Sequence, residues 1–239
     1  MMNNAEKPQL TIPRVTSSVF NEDCLETLNR FDNNSIDCVI TDPPYSGLLS
    51  KSKGDGRFAN ADCHIEFDDM SERAFLLFVK PIFRELYRVT KLGSHLYCFT
   101  DWKQLRNMAD CLELASFKIV NIVCWDKGHF GMGAGYRSQS EYLLVFSKGL
   151  PNTFNLKNVG NVIKCQRAKD TIHPHQKPME LIKTLIENST KEGDLIYDPF
   201  AGSCSTLKTA KMLNRNSIGS ELSKDYCQQF TDVVSSELF

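Results

Sequence analysis

No run of about eighteen apolar residues occurs anywhere in the chain, so no membrane-spanning helix is expected. The polar opening MMNNAEKPQL lacks the apolar core of a secretory signal, and a cytoplasmic protein is the expectation. No two cysteines stand in CxxC spacing. Nine thiols, an odd number, several of them in apolar strand contexts (Cys38, Cys98, Cys124), suggest buried thiols in a reducing compartment, without a zinc site. Net charge is nearly absent as well, at −1, so no overall field marks a polyanion partner. The distribution says more than the sum. Between Pro151 and Lys183, six basic residues (Lys157, Lys164, Arg167, Lys169, Lys177, Lys183) stand against Asp170 and Glu180. That stripe reads as a phosphate-tracking surface, with an ordinary solvated face as the alternative. No repeat or low-complexity tract is present.

What is there is a regular alternation of strand-like and helix-like segments. With 239 residues, 41% of them hydrophobic, the chain suits one domain over 1–239 with a full core. Strands are expected at Ser17 to Asn21, Ile36 to Thr41, Ser94 to Thr100, Lys118 to Trp125, Glu141 to Ser147, Asp194 to Asp198 and Asn216 to Leu222. Helices are expected at Cys24 to Phe31, Glu72 to Thr90 with an interruption near Pro81, Lys103 to Ala115, within His173 to Asn188, and from Leu207 to Leu213. Such alternation predicts a doubly wound, mostly parallel α/β sheet.

Two strand ends carry the chemistry. Ile36 to Thr41 stops at Asp42-Pro43-Pro44-Tyr45. Each proline fixes its own φ and pushes its predecessor toward extended geometry, so the chain leaves the sheet stiffly. A carboxylate, a carbonyl and an aromatic ring are thereby displayed at the carboxyl edge, where open α/β sheets bind ligands. A plain Pro-Pro turn with Tyr45 as packing would leave the same trace. The second end is Asp198-Pro199-Phe200-Ala201-Gly202-Ser203-Cys204-Ser205-Thr206, a small-residue turn between strand and helix that lets backbone approach a ligand. Glu221 then ends the following strand, placed to hold a ribose diol. The stretch GHFGMGAG (128–135) lacks the GK[ST] ending of a phosphate loop and reads as a loop near the ligand face.

Together these segments resemble the β class of amino-specific DNA methyltransferases, in which a DPPY motif precedes an FxGxG motif. Asp42 to Tyr45 matches DPPY in full, and Asp198 to Thr206 is similar to DPFxGSGTT, with Cys204 where the last glycine of FxGxG usually stands. Asn21 to Leu25 resembles the segment beside the cofactor adenine. Trp125-Asp126-Lys127 and Tyr136 to Glu141 resemble later core motifs, and His173 to Pro178 differs from HPTQKP only at His175.

The resemblance implies a Rossmann-like methyltransferase fold, with seven strands, one of them antiparallel, and a circularly permuted motif order. It implies S-adenosylmethionine as cofactor, with Asp23 and Cys24 at its adenine end and Glu221 on the ribose. Phe200, Gly202 and Ser203 would lie by its methionine, in the turn that Asp198 opens, and Lys177 near its carboxylate. Asp42 would sit between cofactor and target. It further implies double-stranded DNA as partner, a target base flipped out of the duplex and stacked on Tyr45, and Asp42 with the Pro43 carbonyl accepting hydrogen bonds from the target amino group. Pro44 completes that catalytic corner. DPPY goes with adenine N6; cytosine N4 and a catalytically silent DNA- or cofactor-binding relic are the alternatives. Residues 46–69 resemble a mobile post-catalytic loop. Residues 148–172 are the short segment left for target recognition, in a monomer or a homodimer, with or without a restriction partner.

Overall fold

A computed structural model of the protein describes residues 16–44, 71–132, 134–167 and 176–236. In chain order the elements are β1 (Ser17–Phe20), α1 (Cys24–Asn29), β2 (Ile36–Thr41), α2 (Glu72–Val89), β3 (Thr90–Thr100), α3 (Leu105–Leu114), β4 (Lys118–Asp126), β5 (Ser140–Ser147), β6 (Val162–Lys164), α4 (Met179–Ser189), β7 (Leu195–Asp198), α5 (Ser205–Met212), β8 (Asn216–Ser220) and α6 (Lys224–Ser236). The strands form one sheet in the order β1-β8-β7-β2-β3-β5-β4-β6. Only β5 runs against its neighbours, β3 and β4; the other pairings are parallel.

Three differences separate this architecture from the sequence expectation. The sheet has an eighth strand, β6, which adds to the outer edge of β4 through Cys124↔Val162 to Asp126↔Lys164. A last helix, α6, follows β8. Helix α2 also runs through Pro81 without a break. Proline removes the N–H that would bond the carbonyl four residues back, but Leu77 and Pro81 both lie on the solvent side, where water can take that carbonyl. The opposite face of α2, with Phe75, Val79, Ile82, Phe83, Leu86 and Val89, is fully buried and holds the helix on the sheet.

Helices cover both faces. Side chains of α1, α2 and α3 form one core with Val39, Leu96, Cys98, Leu144, Phe146 and Tyr197. On the other face Leu181, Ile182, Leu185 and Ile186 of α4 and Ala210 of α5 pack on Ile40, Tyr97, Leu143, Val145 and Ile196. This two-sided cover explains the near-continuous apolar runs of the central strands. Every cysteine among the described residues is a free thiol, and Cys24, Cys38, Cys98, Cys111, Cys204 and Cys227 are buried. No described helix is long and apolar enough to cross a membrane.

The connection after β5 first follows the amino edge of the sheet. The Asn152 N–H donates to Gly93 O at 2.8 Å, and the Asn155 amide donates to the carbonyls of Glu187 and Thr190, both at 2.9 Å. The Phe154 ring stacks on the buried His95 ring at 4.3 Å, and burial lowers the His95 pKa to about 4. Only from β6 onward does the chain return to the carboxyl edge. There it is stitched to β4 by Trp125 Nε1–H donating to Cys165 O at 2.7 Å and by Cys165 N–H donating to Asp126 O at 3.0 Å.

The β8 strand presses closely on the turn between β7 and α5. A Cβ built on Gly219 would lie 2.8 Å from Ala201 Cβ and 3.0 Å from Leu207 Cδ1. Ala201 Cβ is fixed to its backbone and Leu207 is fully buried, so Gly219→Ala should overpack this contact and destabilise the fold by ~1–3 kcal/mol. Urea unfolding of the two proteins measures it; equal midpoints would mean that the turn yields freely.

Candidate active site

Strands β2 and β7 are neighbours, in the register Cys38↔Ile196 and Val39↔Tyr197. Their carboxyl ends therefore bring Asp42-Pro43-Pro44 and the turn beginning at Asp198 to the same edge of the sheet. The crossovers from these strands lead to opposite sides, β2 toward β3 and β7 toward β8. This makes their junction the topological switch point, where open α/β sheets hold ligands. Tyr45, the 46–69 loop, Lys169 and His173 to His175 lie outside the described residues.

Asp42 does not stand alone at this corner. Its Oδ2 lies 2.7 Å from Lys177 Nζ, and the same ammonium lies 3.3 Å from Glu141 Oε2 and 5.1 Å from the centre of the Phe99 ring. Glu141, at the start of β5, also pairs through Oε1 with Lys127 at 3.3 Å and Arg167 at 3.0 Å. The Lys177 and Lys127 side chains are only 8% and 9% exposed, so their charges depend on these partners rather than on water. Burial pushes the Glu141 carboxyl up, but Lys177, Lys127 and Arg167 outweigh it and hold the pKa down to about 2. Burial works against the Lys177 charge as well, and Asp42 and Glu141 overcome it to raise its pKa above the ordinary lysine value. Sequence reasoning placed Lys177 beside the cofactor carboxylate; in this structure its ammonium sits between two protein carboxylates. Lys127 and Glu141 had no assigned role in that reading, and Arg167 was read only as part of the basic stripe toward DNA. Their only signal was that Lys127 and Glu141 fall in segments resembling core motifs.

The other corner is built mainly by backbone. Asp198 is buried; its Oδ1 accepts from Phe200 N–H at 3.1 Å, and its carboxylate bonds the Thr206 side chain, which fixes the turn from inside. Burial raises its pKa to about 7, with the Thr206 and Phe200 bonds opposing and Asp42 and Glu221 adding. Glu221 reaches back from the tip of β8. Its Oε2 accepts from Gly202 N–H and its Oε1 from Ser223 N–H, both at 2.8 Å. A carboxylate oxygen has two acceptor sites, so each of these oxygens keeps one beyond that bond. Phe200 is half-buried with its ring 6.2 Å from that of Phe78, and the Ser203 carbonyl accepts from Lys208 Nζ at 3.0 Å. Across β8, Asp23 caps α1 by accepting from Leu25 N–H at 2.7 Å. Burial, with the Asp23 charge beside it, pushes the Cys24 thiol up to about 12, and the side chain packs in the core beneath α1.

Cys204 caps α5 at φ 58°, ψ 29°, the left-handed region where glycine is at ease. Its side chain is buried among Ala201, Leu207 and Phe230, and its thiol lies 3.6 Å from the Gly202 carbonyl. The residue that departs from the FxGxG pattern thus keeps the backbone conformation of a glycine.

The chain is similar to known proteins in sequence and in fold. Residues 36–232 match the family described as DNA methylase, N6_N4_Mtase. The chain belongs to that family. The methylase is 31% identical over 199 residues to the type II methyltransferase M.HhaII of Haemophilus parahaemolyticus, covering 80% of this chain and 84% of that one. Among solved structures it resembles the M1.HpyAVI–SAM complex (TM-score 0.66, 21% identity, 90% of this chain and 98% of that one). It also resembles the cytosine-N4-specific PvuII DNA methyltransferase (TM-score 0.73, 15% identity, 90% and 85%). These likenesses show the methyltransferase fold, with one strand more than the expected seven.

The Cys204 geometry of the methylase makes a testable pair. Cys204→Gly relieves a left-handed non-glycine, worth ~1–2 kcal/mol, and gives up a small buried side chain, so stability should stay within about 1 kcal/mol. Cys204→Val puts a β-branched residue at positive φ and should lose at least ~2 kcal/mol. Thermal melts of both decide it; a Val variant as stable as wild type would refute the strained cap.

Proposed function

We propose that this DNA methylase is an S-adenosylmethionine-dependent adenine-N6 methyltransferase acting on double-stranded DNA, with Asp42 and the Pro43 carbonyl as acceptors for the target amino group. The observation that carries the reading is the side-by-side placement of β2 and β7, which puts an intact Asp42-Pro43-Pro44 and the Asp198–Cys204 turn on one edge. The residues present suit the cofactor. The half-exposed Glu221 carboxylate has acceptor sites left for a diol, and Gly202 and Ser203 offer half-exposed backbone beside it. When bound, S-adenosylmethionine supplies an electrophilic methyl group on a sulfonium.

The chain's own residues would then do the rest. An exocyclic amino group is a weak nucleophile because its lone pair is delocalised into the ring. Acceptors at Asp42 and Pro43 favour its pyramidal form and meet the positive charge that develops on it, a preorganised electrostatic effect. The stiff Pro-Pro exit holds those acceptors in place, and in-line transfer rewards such positioning. A base inside a duplex cannot reach this edge, so it must be flipped out, with Tyr45 as its stacking surface. The fold does not select the base, since the cytosine-N4-specific PvuII enzyme shares it. Adenine is favoured by the aspartate at the head of the motif, where the resemblance associates serine with cytosine.

Recognition has little chain to work with. Of the polar residues between Lys148 and Ile172, Asn155 is committed to the end of α4 and Arg167 to Glu141. Asn152, Lys157, Asn158, Lys164 and Gln166 are the described candidates that remain, and of these Lys164 and Gln166 lie where the chain has returned to the carboxyl edge. A specified base pair takes about one bidentate side chain, worth ~1–3 kcal/mol, and some of these lysines are needed on phosphates. We therefore expect a short or degenerate site for a single subunit. Mapping modified bases in a methylation-deficient bacterium expressing the protein tests this; a strict six-base-pair site read by a monomer would place recognition elsewhere.

Purified protein with labelled S-adenosylmethionine should yield N6-methyladenine in duplex DNA, read by mass spectrometry of the digested nucleosides. Product found only as N4-methylcytosine would assign the other base. Asp42→Ala should lower turnover by ~10²–10³ while cofactor binding, measured by calorimetry, is largely kept; activity within a few-fold of wild type would remove Asp42 from the reaction.

A further inference from the structure

The cluster around Glu141 asks for a reason beyond folding. Buried ion networks are often no better for stability than apolar packing of the same size, yet here five charged side chains from five separate parts of the chain converge on the reacting corner. Asp42 follows β2, Lys127 follows β4, Glu141 opens β5, Arg167 follows β6 and Lys177 precedes α4. The two Glu141 oxygens face different ways. Oε2 meets Lys177, while Oε1 meets Lys127 and Arg167.

Asp42 needs such help for a simple reason. The last torsion of an aspartate is broad, so its rotamer alone does not aim the carboxylate. Lys177 holds it at 2.7 Å, but a lysine is itself a flexible stem with about 2 kcal/mol of rotamer entropy. The ammonium becomes a fixed point only if something on its other side holds it too, and Glu141 Oε2 at 3.3 Å is placed there, with the Phe99 ring 5.1 Å away.

We propose that Glu141 is a positioning residue: by sharing Lys177 with Asp42 it fixes the Asp42 carboxylate for the target amino group, and through Arg167 it ties that orientation to the segment after β6. The proposal rests on the reading of Asp42 as the acceptor. It gives Arg167 a role other than phosphate contact, although its side chain is 53% exposed and belongs to the basic stripe. When the segment after β6 docks on DNA, the position of Arg167 is set, and with it the hold of Glu141 on Lys177.

Glu141→Gln keeps the shape and removes the charge. Turnover should fall about 10- to 100-fold, the scale of a small misplacement at a reacting group, with the S-adenosylmethionine dissociation constant within threefold. The pH profile should change as well. Lys177 faces Asp42 and Glu141, with the Lys127 and Arg167 cations paired to that same Glu141 and the Asp198 carboxylate on the neighbouring β7. With Glu141 neutral, one of the two anions that raise the Lys177 pKa is gone, so the ammonium loses its proton at lower pH. The alkaline fall in turnover must move down by about a unit or more, and Glu141→Asp should recover part of the rate with the limb unmoved.

Titration of the Lys177 ammonium by NMR, which needs no turnover, should show the same downward shift. An unshifted Lys177 overturns the proposal even if the protein methylates adenine. A wild-type protein that methylates no DNA sinks the functional reading and leaves the NMR result standing. Arg167→Gln, at a position whose side chain is half in solvent, should lower turnover several-fold at saturating DNA. A rise in the KM for DNA with turnover unchanged would make Arg167 a phosphate contact and break the proposed link, as would a Glu141→Gln enzyme within threefold of wild type or one that loses cofactor binding in parallel.

Discussion

The carboxyl edge of this sheet depends on one constraint: an ammonium withdrawn from water must be surrounded by anions. Lys177 meets it with Asp42 and Glu141, and Glu141 in turn meets the needs of Lys127 and Arg167. None of these groups is satisfied by its own element. β2, β4, β5, β6 and the lead into α4 must all be in register before the charges balance, so the network is a check on the assembly of the whole right-hand side of the sheet. The net stabilisation from such a buried network is small, but removing the carboxylates that face the buried Lys177 or Lys127 leaves an uncompensated charge, whereas the half-exposed Arg167 can be lost at little cost to the fold.

The other half of the site follows a different logic. Around Asp198, Gly202 and Glu221 the work is done by backbone N–H groups received by carboxylates and by close packing rather than by paired side chains. Gly219 lets β8 approach Ala201 and Leu207, and Cys204 adopts a glycine conformation despite its side chain. One corner is thus tuned by charge and the other by shape, and they meet where β2 and β7 pair.

Much of this was legible in the sequence. Apolar runs ending at prolines or at a small-residue turn gave away β2 and β7, because a buried parallel strand has a distinctive length and an abrupt stop. Strand β6 was not legible: Val162-Ile163-Lys164 is three residues long, and its pairing to β4 is decided by Trp125 and Cys165. Helix α6 was legible although it was not expected: Tyr226, Cys227, Phe230, Val233 and Val234 stand at helical spacing, and Cys227 and Phe230 are buried. The path of α2 through Pro81 was legible too, since the apolar stripe of Phe75, Val79, Phe83 and Leu86 leaves Pro81 on the opposite, solvent-facing side. The charge cluster was the largest omission. Lys127 and Glu141 are 14 residues apart, and Glu141 and Arg167 are 26, while Lys177 and Asp42 lie in different halves of the chain. Local pattern does not register partners at such separations.

One further consequence lies in the outer strand β1. Its described sheet partner is β8 alone, with Ser17 opposite Ser217 and their hydroxyls 2.7 Å apart across 200 residues of sequence. A chain emerging in order therefore makes β1 long before the strand that will hold it, and must keep it unpaired while the intervening strands are added. Such long-range pairing slows folding, since the entropy of closing the loop is lost before the contact forms. It also means that β7, which enters the sheet between β2 and β8, brings its turn beside β2 only after β3, β4, β5 and β6 have been made.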